Sequence, residues 1–207
     1  MTLQNGNAWA AAFGHGSHSG KSVTVETALQ LATVWACIRL TAQAVSCLPL
    51  SMYQRSGDDD RVKVSNDEDI AEVICDSPNE DQTPLEFWET NVAWLMAMGN
   101  AYSEKVETGR RLTALQPIAS TNCHPVRKAD GGLVYRVVDR GQTEELPRDK
   151  IFHLKGFGFG GDMGLSPIRF GVQTFGSAIA IEESSGKIFG SGLQASGILS
   201  SDNTLDK

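Results

Sequence analysis

Three glycines pose the first chemical question in this chain. Within residues 153–169, HLKGFGFGGDMGLSPIR, Gly156, Gly158 and Gly161 fit the pattern G-x-G-x-x-G. In a dinucleotide-binding unit that pattern lets the backbone approach a pyrophosphate at a helix N-terminus. The flanks agree at first sight, because residues 150–154 (KIFHL) read as a strand and the residues after Ser166 as a helix. The register disagrees. In the binding unit the third glycine already belongs to the helix start, where free N–H groups meet the phosphate. Here Asp162, Met163, Gly164 and Leu165 intervene before a helix cap at Ser166, and Asp162 would set a carboxylate beside a bound anion. Glu182 stands about where the ribose-binding acid belongs, but inside a helical pattern rather than at the end of a second strand. The glycines read as a flexible connector.

Other candidate chemistry fares no better. Gly20-Lys21-Ser22 ends like a P-loop, yet its first glycine would have to stand where His15 does, and no apolar strand leads in. His15 and His18 fall in the same Gly- and Ser-rich stretch and read as solvated. Cys123 and His124 are adjacent, so an extended segment points them to opposite faces, away from a nucleophile–base pair. His153 lies in the expected strand as a structural histidine. Asp58, Asp59 and Asp60 form a solvated turn rather than a spaced acid–base pair. The four cysteines, Cys37, Cys47, Cys75 and Cys123, have no C-x-x-C and no histidines at zinc spacing, and read as reduced, small, buried hydrophobes. No residues form a recognisable active site, and no cofactor or metal is expected.

The elements that must position these residues follow from periodicity. Residues 1–22 (MTLQNGNAWAAAFGHGSHSGKS) carry no sustained period and read as a mobile tail. Residues 25–48 form one helix, with Leu31, Val34, Trp35, Ile38, Ala42 and Val45 along one face, closed by Pro49. Residues 50–54 and 62–64 form a hairpin with a polar tip, followed by a short helix over 67–75. Thr83, Pro84 and Glu86 make a complete helix start of N-cap, N1 proline and capping-box glutamate. That helix buries Leu85, Trp88, Val92 and Leu95 and stops at Gly99. Strands are expected over 101–106, 112–115, 133–138 and 150–154. Ser166-Pro167 starts a last helix running to Phe189, a rod of roughly 35 Å. Its Gly171, Gly176, Ser177, Ala178, Ala180 and Gly186 leave little bulk, which suggests close approach of another backbone.

Composition bounds the rest. With 207 residues at 41% hydrophobic the chain can bury a sizeable core, as one or two domains. Its 25 acids against 18 bases, a net charge of −7, argue against a broad grip on phosphates, but suit a surface past which DNA must slide. No charged-then-apolar leader opens the chain and no apolar run is long enough to span a bilayer, so the cytoplasm is the default compartment.

Seven short pieces stand in one order along the chain. They are Ala28-Leu29-Gln30 with Val34-Trp35-Ala36-Cys37-Ile38-Arg39; Leu48-Pro49-Leu50; Ser77-Pro78-Asn79; Thr83-Pro84 with Phe87-Trp88; Gly99-Asn100-Ala101-Tyr102; His153-Leu154-Lys155-Gly156; and Gly164-Leu165-Ser166-Pro167-Ile168. Together they resemble the N-terminal half of the tailed-phage portal protein family. The resemblance implies an α+β fold: a portal-like wing domain of helices and short antiparallel strands, then a long stem-like helix. It divides the chain into a mobile tail over 1–22, a wing-like domain over 23–160, a connector and stem-like helix over 161–192, and the start of a clip-like segment over 193–207. It implies no catalytic residues, and subunit contacts at Gly171, Gly176 and Ala180 of the stem-like helix. The implied partners are further copies in a dodecameric ring, the terminase large subunit, capsid and head–tail connector proteins, and double-stranded DNA passing through without tight sequence-specific binding, with no membrane. The expected location is the virion, and the host cytoplasm during assembly. Members of that family continue for about as many residues again, so a fragment or a shortened gene is expected. Two alternatives stay open: a nucleotide-binding enzyme using the glycine loop, and a monomeric head adaptor.

Overall fold

The computed structural model describes residues 17–57, 60–65 and 69–192. His15, Asp58, Asp59, most of the expected tail and the clip-like segment lie outside the described residues. Thr24 caps α1 (Val25–Leu29) through a capping box closed with Thr27. The chain extends at Leu31 (φ −70°, ψ 115°) and re-enters helix as α2 (Ala32–Ser46). The single helix expected over 25–48 is thus two. A hairpin of β1 (Tyr53–Ser56) and β2 (Asp60–Lys63) follows, exposed along its length. The short helix α3 (Asp69–Ala71) widens into a π turn over Glu72–Asp76.

Helix α4 (Pro84–Met98) begins as its residues dictate. Glu86 N–H donates to Thr83 Oγ1 (3.3 Å), Thr83 N–H donates back to Glu86 Oε2 (2.9 Å), and Gly99 closes the helix in the left-handed region at φ 73°. Its buried positions are Phe87, Asn91 and Ala97, while Leu85 of the expected stripe is exposed. The helix is apolar on nearly every side, so its period did not single out one face.

The remaining strands form two three-stranded antiparallel sheets. In one, β3 (Asn100–Thr108) lies between β4 (Arg111–Ile118) and β8 (Ile151–Lys155). In the other, β6 (Leu133–Asp139) lies between β5 (Cys123–Arg127) and β7 (Gln142–Pro147). Strands β5 and β7 were not expected. The residues of β7, QTEELP, carry no alternation, and it exists as a paired edge to β6. Two last helices, α5 (Pro167–Phe170) and α6 (Val172–Gly190), are separated by a break at Gly171. Ser166 caps the first as expected, its Oγ accepting from Arg169 N–H at 3.2 Å.

Three apolar clusters hold these pieces together. Ala28, Ile38, Ala97 and Ile168 join α1, α2, α4 and α5, with Phe175 of α6 packed against them. Tyr102, Cys123, Tyr135 and Ile151 join the two sheets. Val73, Phe87 and Leu115 pack α4 and the π turn on β4. The fold is α+β, a body of helices and short antiparallel strands followed by a helix that leaves it.

The outer side of α2 corrects two expectations. Trp35 and Val45 are 54% and 44% exposed. Cys37 and Cys47 are exposed rather than buried. The side of α2 carrying Cys37, Leu40, Ala44, Cys47 and Leu48 has no cover among the described residues. Side-chain chemistry makes the helix apolar on both sides, and the fold has layers enough to cover one.

Candidate functional site: a glycine-knotted joint

The glycine loop is where the strands hand the chain to the last helices, and backbone approaches backbone there. A β-carbon on Gly99 would fall on the carbonyl of Leu165, and one on Gly164 on the carbonyl of Gly99. One on Gly156 would stand 2.9 Å from Gly99 O, and one on Gly158 3.3 Å from Met163 O. Gly156 N–H donates to Gly99 O (2.9 Å), and Leu165 N–H to Phe157 O (2.8 Å). The glycines are used on the chain itself. The loop is a packed knot rather than the flexible connector that its composition suggests.

Asn100, the first residue of β3, is the centre of the knot. Its Nδ2 donates to Gly164 O (2.9 Å), and its Oδ1 accepts from Gly164 N–H (2.7 Å). Ser120 Oγ donates to Asn100 O (2.7 Å), and Ser166 Oγ to Ala97 O (2.9 Å). His153 Nε2 lies 3.0 Å from Asn100 Oδ1, and Tyr135 Oη lies 3.1 Å from His153 Nδ1. The amide orientation set by Gly164 makes Oδ1 the acceptor, so His153 carries its proton on Nε2 and Tyr135 donates to Nδ1. Burial lowers the His153 pKa from 6.5 to about 4, helped by the nearby Lys155 charge and opposed by Asp162. The ring is therefore neutral at physiological pH, with Tyr102 stacked at 4.4 Å between centroids. Burial pushes the Cys123 thiol up to about 12, which makes it inert packing rather than a nucleophile.

The outer edge of the knot is tied by charge. Arg127 on β5 holds Asp162 with two bonds of 2.7 Å, Nε to Oδ2 and Nη2 to Oδ1. Arg127 also donates to Gly131 O (3.0 Å), and Lys155 Nζ donates to Gly161 O (2.8 Å). Solvent screens an exposed pair of this kind, so it orients the loop more than it stabilises it. Asp162 thus pairs with a cation of its own chain. The helix that follows is the four-residue α5, which starts beyond Leu165 and Ser166.

The expected site residues fall apart in space. Cys123 is buried and His124 exposed, as adjacent residues of a strand must be. His18 reaches α6 through its backbone N–H, which donates to Gln173 Oε1 (2.9 Å). No group of three potential metal ligands occurs among the described residues. Of the expected subunit contacts, Gly171 sits at the break beneath the ring of Phe175, and Ala180 is half-buried. Gly176 is buried, and what approaches it is the side chains of the chain's own Ser17 and Ser19 rather than another backbone. Sequence reasoning missed Asn100 and Tyr135. An asparagine directly after a helix-stopping glycine was the available signal for the first, and Tyr135 had none.

A family model described as "Phage portal protein" matches residues 32–207. The chain is 34% identical over 202 residues, 97% of its length, to the portal protein of Enterobacteria phage HK97. It is 27% identical over 203 residues to a probable portal protein of Streptomyces phage phiC31. It spans 47% and 43% of those relatives, about half of each. Among solved structures, the neck of a native gene transfer agent particle computed with C12 symmetry has a TM-score of 0.64 at 22% identity, covering 80% of this chain and 44% of that one. An HK97-family phage portal protein from Corynebacterium diphtheriae has a TM-score of 0.55 at 13% identity, covering 82% and 51%. The family model spans every residue of the joint and most of the chain, and the chain belongs to the phage portal protein family.

Proposed function

We propose that the chain forms a subunit of the portal ring at one capsid vertex, through which a terminase motor drives double-stranded DNA and to which head–tail connectors attach. Residues 23–160 act as the wing-like body and residues 161–192 as connector and stem-like helix. The role is structural, without catalysis or cofactor, in the virion and before that in the host cytoplasm. One observation carries the reading: two helices turn uncharged faces to solvent. The outer side of α2 exposes Leu40 at 72% and Leu48 at 66%. Along α6 the exposed stripe is Thr174, Ser177, Ile181, Ser184 and Ile188, at spacings of three and four. A lone subunit in water gains nothing from two such faces. A ring needs two different faces per subunit, one for each neighbour. The expected contacts are revised accordingly: Ala180 and Gly171 flank the proposed α6 surface, while Gly176 is covered within the subunit.

Cys37 and Cys47 make the test direct, because both stand exposed, Cys37 on α2 and Cys47 at its C-cap. Maleimide labelling of a chain of the relatives' length, sorted by light scattering into rings and single subunits, should modify both cysteines in the subunit and neither in the ring. Rings in which both label as fast as in the subunit would exclude the α2 face. Failure to form rings at any concentration would exclude the portal role.

A further inference from the structure

The last described residues of the expected tail are not loose. Ser17 is 7% exposed, and its Oγ donates to Lys21 O (2.8 Å) and accepts from Lys21 N–H (3.2 Å) and from Ser19 Oγ (2.7 Å). Gly20, at φ 71°, closes the turn by donating to Ser17 O (3.0 Å). This compact turn lies on α6. A β-carbon on Gly176 would fall on Cβ and Oγ of Ser17. His18 N–H is bonded to Gln173, and Lys21 pairs with Glu183, which also holds Lys187 at 3.1 Å. From Ser17 the chain runs directly into Val23, Val25 and Ala28 of the helical core.

We infer that residues 17–21 are a strap, seated in a notch that Gly176 leaves in α6, and that this strap sets the angle at which α6 leaves the body. The inference is independent of the portal reading. Among the described residues, core packing reaches α6 in its first turns, through Val172 and Phe175. After Ala180 every α6 residue is exposed except the half-buried Ser185. The strap touches positions 173, 176 and 183, so among the described residues it is the tie that reaches farthest along the helix. It also accounts for the glycine, which a helix interior otherwise disfavours.

Gly176→Ala is the decisive change, because alanine favours the helix while its methyl group occupies the seat of Ser17. Hydrogen exchange should quicken about tenfold or more at the amides of His18, Gly20 and Lys21, while β6 amides keep their protection. Spin labels on Cys37 and on Ile188→Cys, with Cys47 and Cys75 changed to serine, should give a narrow distance distribution in the parent and a broad one in Gly176→Ala. If β6 protection is also lost, the double variant Ser17→Ala/Lys21→Ala decides, since it removes the Ser17 hydroxyl bonds and the Lys21–Glu183 pair without adding bulk. Parental exchange at the strap and parental distance width in a folded variant would overturn the inference.

Discussion

His153 is the residue on which the joint's chemistry turns. Its ring must stay neutral to donate to Asn100 and accept from Tyr135, and burial lowers its pKa from 6.5 to about 4. Between those values the unfolded chain binds the proton and the folded chain does not. Stability is thus fully present above about pH 6.5 and is lost as pH falls towards 4. A shift of that size corresponds to at most about 3 kcal/mol, and water reaching the half-buried ring reduces it to on the order of 1–2 kcal/mol. Denaturant melts at pH 7 and pH 4.5 should differ by that amount more in the parent than in His153→Gln. An equal loss in both would place the acid sensitivity elsewhere.

At the scale of elements, the two ends of α4 are held by different means. Thr83 caps the start locally, and Thr83→Ala should cost about 1 kcal/mol. Gly99 ends the helix in a left-handed conformation with the Leu165 carbonyl where a β-carbon would stand. Gly99→Ala should cost about 2–5 kcal/mol, combining left-handed strain with overpacking. Paired urea melts compare the two, and Gly99→Ala losing no more than Thr83→Ala would mean that the knot is soft. The same packing bears on the glycine pattern. Calorimetric titration with NAD or ATP should give no heat of binding, and micromolar binding abolished by Gly158→Ala would reverse the reading of the loop.

For the whole molecule, charge is the governing quantity. A net charge of −7 leaves few phosphates that the chain can neutralise. Duplex DNA at physiological salt should therefore bind weakly or undetectably, with a shallow dependence on salt. A gel-shift series across ionic strength measures this. Tight binding that weakens steeply with salt would favour a DNA-gripping module over a conduit.

What the sequence determined by itself was local. The Thr83–Glu86 capping box, the Ser166 cap and the stop at Gly99 follow from interactions within a few residues, and the strands β3, β4, β6 and β8 were legible from local apolar patterning, although their pairing is not local. The seven ordered pieces that pointed to the family are local too. Tertiary structure decided whatever depends on a partner distant in sequence. A strand as polar as β7 exists only because β6 offers its edge. Cys37 and Cys47 are exposed because no layer among the described residues covers the outer side of α2. The glycines of the loop look like freedom in one dimension and become a knot when Gly99, Gly156 and Gly164 are brought into van der Waals contact. Asn100 and Gly164, 64 residues apart, exchange two hydrogen bonds that no local pattern announces. Gly176 shows the limit most plainly: its small size signalled a close approach, but only the fold could say that the neighbour was the side chain of the chain's own Ser17.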